Sequence, residues 1–271
     1  MADRAALVGL SVWPLDRQRA GQPLPGVSRP DQMPPDLATR VIAAWTVSGD
    51  IVLDPIAGTG TSCVAAVRLG RHTIGIEPDL DRARLATAHL ARAWASGATG
   101  GGMVLSGDTT TVLPGLAPVL VGRVALVLAY LPHRRAARGG GLPVSAGTER
   151  VETVLGGCVP LLRPGGMVVL VVRERRVRGR LVDTPAAVTV AAYRAGLAPV
   201  ERCVALLTAL PDGRPEIQRG RVNHRAARRD GPPLHRTVHA DVLAFTAAPH
   251  LARSAAASMR PVVGLRFGRA A

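Results

Sequence analysis

The chain has 271 residues, 47% of them apolar, with 34 basic against 19 acidic side chains and a formal net charge of +15. That length suits one large domain, or one with an appendage, and the apolar content allows a sizeable core. No apolar run is long enough to span a membrane, and three Trp, two Tyr and two Phe are too few for a broad base-stacking platform.

The elements follow in chain order. Residues 1–28 are broken by Pro and Gly and read as an extended arm, anchored by Trp13. Ala5 to Trp13 is apolar but lacks the basic start and small-residue cleavage site of a signal peptide. Asp36 to Thr46 has helical spacing, with Leu37, Val41, Ile42 and Trp45 on one face and Asp36 as the expected cap. Strands are then predicted near 51–54, 72–77, 103–107, 124–129 and 166–172, and helices near 60–69, 79–96, 149–162 and 185–195. This alternation predicts parallel strands joined by right-handed crossovers. Gly97 to Gly102 is a turn with nothing helical after it. Beyond Gly196 the pattern changes. Val200 to Leu210 and Val238 to Phe245 read as two closing strands, separated by an Arg-rich insertion at 211–237. Residues 248–271 read as a loose tail. The expected organisation is an arm (1–28), a domain (29–247) and a tail (248–271).

The stretch Ile51 to Ser62 carries the most chemistry. It is an apolar strand, a Gly-rich turn (Gly58, Gly60) and a helix start. Glycines let a backbone approach a ligand closely, and helix N–H groups point at it. Asp54 stands at the strand end. Glu77 ends the next strand, 17 residues after Gly60, near the spacing of ribose-binding acids. A phosphate-binding P-loop needs a lysine, and the chain has none. A dinucleotide turn needs a third glycine where Cys63 stands, and its pyrophosphate would disfavour Asp54. A nucleoside cofactor without phosphate fits better. S-adenosylmethionine has donors on its amino-acid end and ribose to meet these carboxylates. The alternative is a plain strand-to-helix turn with glycine for geometry.

Asp54-Pro55-Ile56-Ala57-Gly58-Thr59-Gly60-Thr61 resembles the D-P-F-x-G-S-G-T motif of amino-group DNA methyltransferases, which modify adenine N6 or cytosine N4. Arg29-Pro30 through Pro35 resembles the segment before that motif, and Gly75 to Asp79 its ribose-binding strand end. Gly107-Asp108 resembles the acid that reads the adenine amino group, and Leu161 to Val172 a helix, loop and strand common to class I methyltransferases. The resemblance covers most of residues 27–246. It implies an α/β fold: a Rossmann-like class I sheet, mainly parallel, with an antiparallel C-terminal hairpin. It also implies S-adenosylmethionine as cofactor, held by Pro30, Asp54, Pro55, Ala57, Gly58, Gly60, Thr61, Glu77, Pro78 and Asp108.

The family does its chemistry at S/D/N-P-P-Y/F, where an oxygen and a proline carbonyl accept the two hydrogens of the target amino group. The aromatic residue stacks on the flipped base. Here the register gives Tyr130-Leu131-Pro132-His133. Only Pro132 is kept. Tyr130 takes the polar position and His133 the aromatic one, and these three residues are the expected acceptor side. A bulky phenol does not copy a small amide or hydroxyl. The motif is therefore read either as weakened or as altered for another acceptor.

All 34 basic residues are arginine, in runs at 134–135, 173–180 and 219–236. Codon bias alone raises arginine content, but the acids have not risen to match. Nucleic acid is thus the expected partner, DNA ahead of RNA. The insertion at 211–237 is the candidate contact. No block remains for a separate target-recognition domain. Cys63, Cys158 and Cys203 are widely spread, which disfavours zinc and disulfides and suits a reducing, cytoplasmic compartment. Cys158 reads as a core residue, and His235 and His239 as loop residues rather than metal ligands. The expected activity is an S-adenosylmethionine-dependent N-methyltransferase. The alternatives are a non-catalytic cofactor- or nucleic-acid-binding protein, or an RNA or small-molecule methyltransferase.

Overall fold

The computed structural model describes residues 11–15, 32–131, 148–177, 180–207 and 238–248. The helices are α1 (Pro35–Trp45), α2 (Thr61–Arg68), α3 (Leu80–Ala95), α4 (Thr109–Leu120), α5 (Glu149–Cys158) and α6 (Thr184–Arg194). The strands are β1 (Val12–Pro14), β2 (Ile51–Asp54), β3 (His72–Glu77), β4 (Gly102–Ser106), β5 (Val124–Leu131), β6 (Leu162–Val172), β7 (Arg175–Val177), β8 (Arg180–Val182), β9 (Leu197–Leu206) and β10 (His239–Ala247).

Eight strands form one sheet in the order β1-β9-β10-β6-β5-β2-β3-β4. Strands β2 to β6 run parallel, and β10 lies antiparallel between β6 and β9. The expected parallel sheet and closing antiparallel pair are both present. The order reverses between β2 and β5. In open α/β sheets the crevice beyond the strand carboxyl ends at such a reversal is where ligands bind.

The central strands are apolar runs because both of their faces are covered. Every residue of β2 and β5 is buried. Side chains alternate along β5. Val127, Ala129 and Leu131 pack with Leu113 and Leu120 of α4, Val154 of α5 and Val188 of α6. Leu126, Leu128 and Tyr130 pack on the other face, with Leu37, Val41 and Ile42 of α1 and Ala65 of α2. At the opposite end of the sheet from the crevice, Arg163 holds the buried Asp50 through two hydrogen bonds, at 2.5 and 3.0 Å.

Five local features differ from these expectations or add to them. Helix α4 was not expected, because Pro114, Gly115 and Pro118 interrupt its sequence. It forms because Asp108 caps it and Leu113 and Leu120 bury against the sheet, and packing outweighs propensity in most protein helices. Helix α1 is entered at Pro34 and Pro35 rather than capped by Asp36. A first-turn proline has its φ preset and no N–H to leave unpaired. The side chain of Asp36 accepts the Leu37 N–H instead, at 3.0 Å. Part of the arm is a strand: β1 pairs parallel with β9, fastened by Trp13, which is buried and lies 5.8 Å from the Trp45 ring. The run 173–180, where no strand is predicted, contains β7 and the start of β8, paired as an antiparallel ribbon. The Leu162-Arg163-Pro164-Gly165-Gly166 segment lies inside β6, at a register shift against β5, where Gly165 takes φ +73° and a side chain on Gly166 would strike the Val124 carbonyl at 2.8 Å.

Pro30, Pro132, His133, the insertion 211–237 and the tail from 249 lie outside the described residues, as do His235 and most of the arm.

Candidate cofactor and acceptor site

Asp54 ends β2 and is 3% exposed. One carboxylate oxygen accepts the Ile56 N–H at 3.0 Å, and the other accepts the Ser62 hydroxyl. Asp54 thereby closes the turn by tying its start to the first turn of α2. Burial pushes its pKa up to about 7. The bonds from Ser62 and Ile56 oppose that rise, and the nearby Glu77 charge adds to it.

The turn between them is held from several elements. The Ala57 N–H donates to the Ile76 carbonyl at 2.9 Å, and the Gly60 N–H to the Ala57 carbonyl at 2.8 Å. Gly58 and Gly60 take φ of +56° and +83°, conformations that favour glycine. Gly60 also lets α3 approach, since a Cβ there would lie 2.9 Å from Cβ of Ala86. Around Gly58 there is space, the nearest atom to a Cβ being the Ile56 carbonyl oxygen at 4.0 Å. The side of the turn at Gly58 is therefore open to a ligand. Pro55 is braced from α4: its carbonyl accepts the Thr109 hydroxyl. From the N-terminal side, Gln32 Nε2 donates to Thr61 Oγ1 at 2.9 Å.

Glu77 ends β3. Its carboxylate accepts the Gly58 N–H at 2.9 Å and the Asp79 N–H at 3.1 Å. Burial raises its pKa, and these two bonds and Arg82 pull it back. Pro78 leads from it to Asp79, which caps α3 by accepting the Arg82 N–H at 3.0 Å. Past β4, Asp108 caps α4 through Thr110, at 2.9 Å to the N–H and 2.7 Å to the hydroxyl. Its other oxygen is ion-paired with Arg150 of α5. The Thr110 hydroxyl and Arg150 hold its pKa below the usual value.

Asp54 and Glu77, at the ends of β2 and β3, thus flank the Gly58–Gly60 turn, and Asp108 stands past the end of the neighbouring β4, at the start of α4. Tyr130 and Leu131 end β5 at the same edge, paired with Val171 and Val172 of β6. Tyr130 is 8% exposed and packs in the apolar layer containing Met33 and Leu37. Cys158 is fully buried, and burial pushes its thiol up to about 12, as suits a core residue. Among the described residues no group of His, Cys, Asp or Glu could hold a metal ion, and no helix is long and apolar enough to cross a membrane.

Sequence reasoning passed over Ser62, Gln32, Thr109 and Arg150. Ser62 lay within the quoted stretch, in the first turn of the helix. The other three are brought in by tertiary contacts from distant positions and carry no local signal.

The sheet order, with its reversal between β2 and β5 and antiparallel β10, is that of a class I methyltransferase fold. A solved structure from work on the conversion of a disulfide bond into a thioacetal group during echinomycin biosynthesis shares this fold, with TM-score 0.52 and 15% identity over 82% of this chain and 86% of that one. Residues 10–88 match the family of N6/N4 methyltransferases described as DNA methylase. Type II methyltransferase M2.DpnII of Streptococcus pneumoniae is 44% identical over 61 residues, 22% of this chain and 23% of that protein. Type II methyltransferase M2.LlaDCHI of Lactococcus lactis subsp. cremoris is 41% identical over 61 residues, with the same coverage of 22% and 23%. The match thus spans about a quarter of the length of these curated relatives.

Proposed function

We propose that the chain is an S-adenosylmethionine-dependent N-methyltransferase acting on nucleic acid, with DNA as the favoured acceptor and RNA as the second. One observation carries this reading. The segment that matches the DNA methylase family contains a turn that is held by the side chains of Gln32, Ser62, Glu77 and Thr109, and the acids that flank it, Asp54 and Glu77, are buried. Such order suits a ligand site better than a plain connection, because fixing polar groups before binding lowers the entropy lost on binding. The three buried thiols suit a cytoplasmic setting.

In this reading the Gly58–Gly60 turn receives the methionine part on its open side at Gly58, with Asp54, Pro55, Ala57 and Thr61 shaping the turn and Pro30 on its N-terminal side. Glu77, beside Pro78, accepts the ribose hydroxyls, and Asp108 accepts the adenine amino group. When bound, S-adenosylmethionine supplies an electrophilic methyl group. The chain's task is to hold the acceptor nitrogen in line with it. Pro132 offers a carbonyl to the amino group, His133 a ring face to the base, and Tyr130 lies at the strand end before them. The net charge of +15 favours a polyanionic acceptor.

The test is methyl transfer from isotope-labelled S-adenosylmethionine to unmethylated duplex DNA, with digested nucleosides read by mass spectrometry. Labelled N6-methyladenine or N4-methylcytosine is the expected product. No label on DNA, with label on RNA, replaces the acceptor.

The burial of Tyr130 favours a second reading, a non-catalytic cofactor- or nucleic-acid-binding protein. Its ring is packed among core side chains where the family carries a small polar residue. A combined variant, Tyr130→Ser, Leu131→Pro and His133→Tyr, rebuilds the family motif. Activity in that variant alone, once it is shown to fold, supports the non-catalytic reading.

A further inference from the structure

We propose that His89 is a positioning residue for the cofactor turn: it fixes one peptide unit so that the turn accepts the amino-acid end of the ligand. This rests on the cofactor reading above. His89 lies on α3, 4% exposed, with Nδ1 2.9 Å from the Thr59 carbonyl oxygen. A carbonyl only accepts, so Nδ1 carries the hydrogen. Nε2 is buried and has no partner among the described residues.

An unpaired buried nitrogen lowers stability. An apolar side chain of similar size would pack there without that cost, so stability does not account for histidine at this position. The bond it makes does. Thr59 sits between two glycines of positive φ, and glycine flanks let a peptide unit rotate readily. The Thr59–Gly60 peptide is held at both ends: its carbonyl by His89, its N–H by the Ala57 carbonyl at 2.8 Å. Helix α3 delivers this contact through its closest approach. Ala86 lies where a side chain on Gly60 would strike, and His89 follows three residues later on the same helix face. Without the His89 bond the carbonyl is released, and the backbone facing the ligand's amino-acid end loses its fixed direction. The ribose and adenine contacts, on Glu77 and Asp108, are untouched.

The test compares His89→Leu with His89→Asn, whose amide N–H can replace Nδ1–H. S-adenosylhomocysteine, which has the amino-acid end, and methylthioadenosine, which lacks it, are titrated calorimetrically into each full-length chain. Hydrogen exchange is followed at the amides of 59–62 without ligand. In His89→Leu, affinity for S-adenosylhomocysteine falls roughly five- to tenfold, affinity for methylthioadenosine holds, and exchange at the turn accelerates. His89→Asn restores both. Equal loss for the two ligands, equal loss in the two variants, or no loss at all overturns the proposal. If the unmutated chain binds neither ligand, the cofactor reading falls. Exchange then still decides the clamp: faster exchange in His89→Leu alone keeps it, and unchanged exchange removes it.

Discussion

Glu77 accepts the Gly58 amide at 2.9 Å, so the acid that ends β3 is also a structural support of the turn that follows β2. The two elements of the proposed site cannot vary independently. Glu77→Ala removes the support and the proposed ribose contact together. Its expected cost to cofactor affinity is roughly 1–3 kcal/mol, the range for losing hydrogen bonds to a charged group. Isothermal titration with S-adenosylhomocysteine measures it, and unchanged affinity would remove Glu77 from the site.

Asp108 serves α4 and the proposed adenine contact at once. Asp108→Ala is expected to lower stability by about 1 kcal/mol through the lost cap, and to weaken cofactor binding as well. Arg150→Ala keeps the cap. Since both partners of that pair are partly exposed, its stability change should stay below about 1 kcal/mol. Chemical denaturation of both variants separates cap from ion pair. A larger loss in Arg150→Ala would reverse this assignment.

The two turn glycines should respond differently to alanine. Both have positive φ, but only at Gly60 does the new methyl meet backbone-anchored atoms, with Ala86 Cβ at 2.9 Å. Gly60→Ala is therefore expected to cost about 1–3 kcal/mol more stability than Gly58→Ala, from overpacking. Gly58→Ala should act chiefly on cofactor affinity, because its methyl would enter the open side of the turn. Thermal melts and titrations of the pair test the ordering.

Asp54 predicts a pH signature. Its folded pKa of about 7 lies above the ordinary 3.8, so the folded chain binds this proton more tightly than the unfolded one. The stability it contributes is complete below about pH 4 and is lost as pH rises through 7. Asp54→Asn does not titrate. Between pH 5 and 8 the unmutated chain should therefore lose stability relative to Asp54→Asn, by up to roughly a few kcal/mol. Parallel slopes in urea denaturation across that range would show that Asp54 is not held in this way.

The sequence by itself determined the alternation of strands and helices, the closing antiparallel pair and the Asp54–Thr61 turn. These are local signals: apolar runs of strand length, glycines where φ is positive, and acids at strand ends. The Pro-interrupted α4 was not legible, because its stability comes from Leu113 and Leu120 buried against other elements. Strand β1 was hidden for a similar reason, since three residues pair only because β9 presents an edge. The tertiary structure alone decided how the turn is held. Gln32, Thr109 and His89 reach it from positions 29, 54 and 30 residues distant from their partners. It also decided the fate of Tyr130: a two-residue periodicity along β5 carries that ring into the layer under α1, where packing rather than motif position governs the side chain.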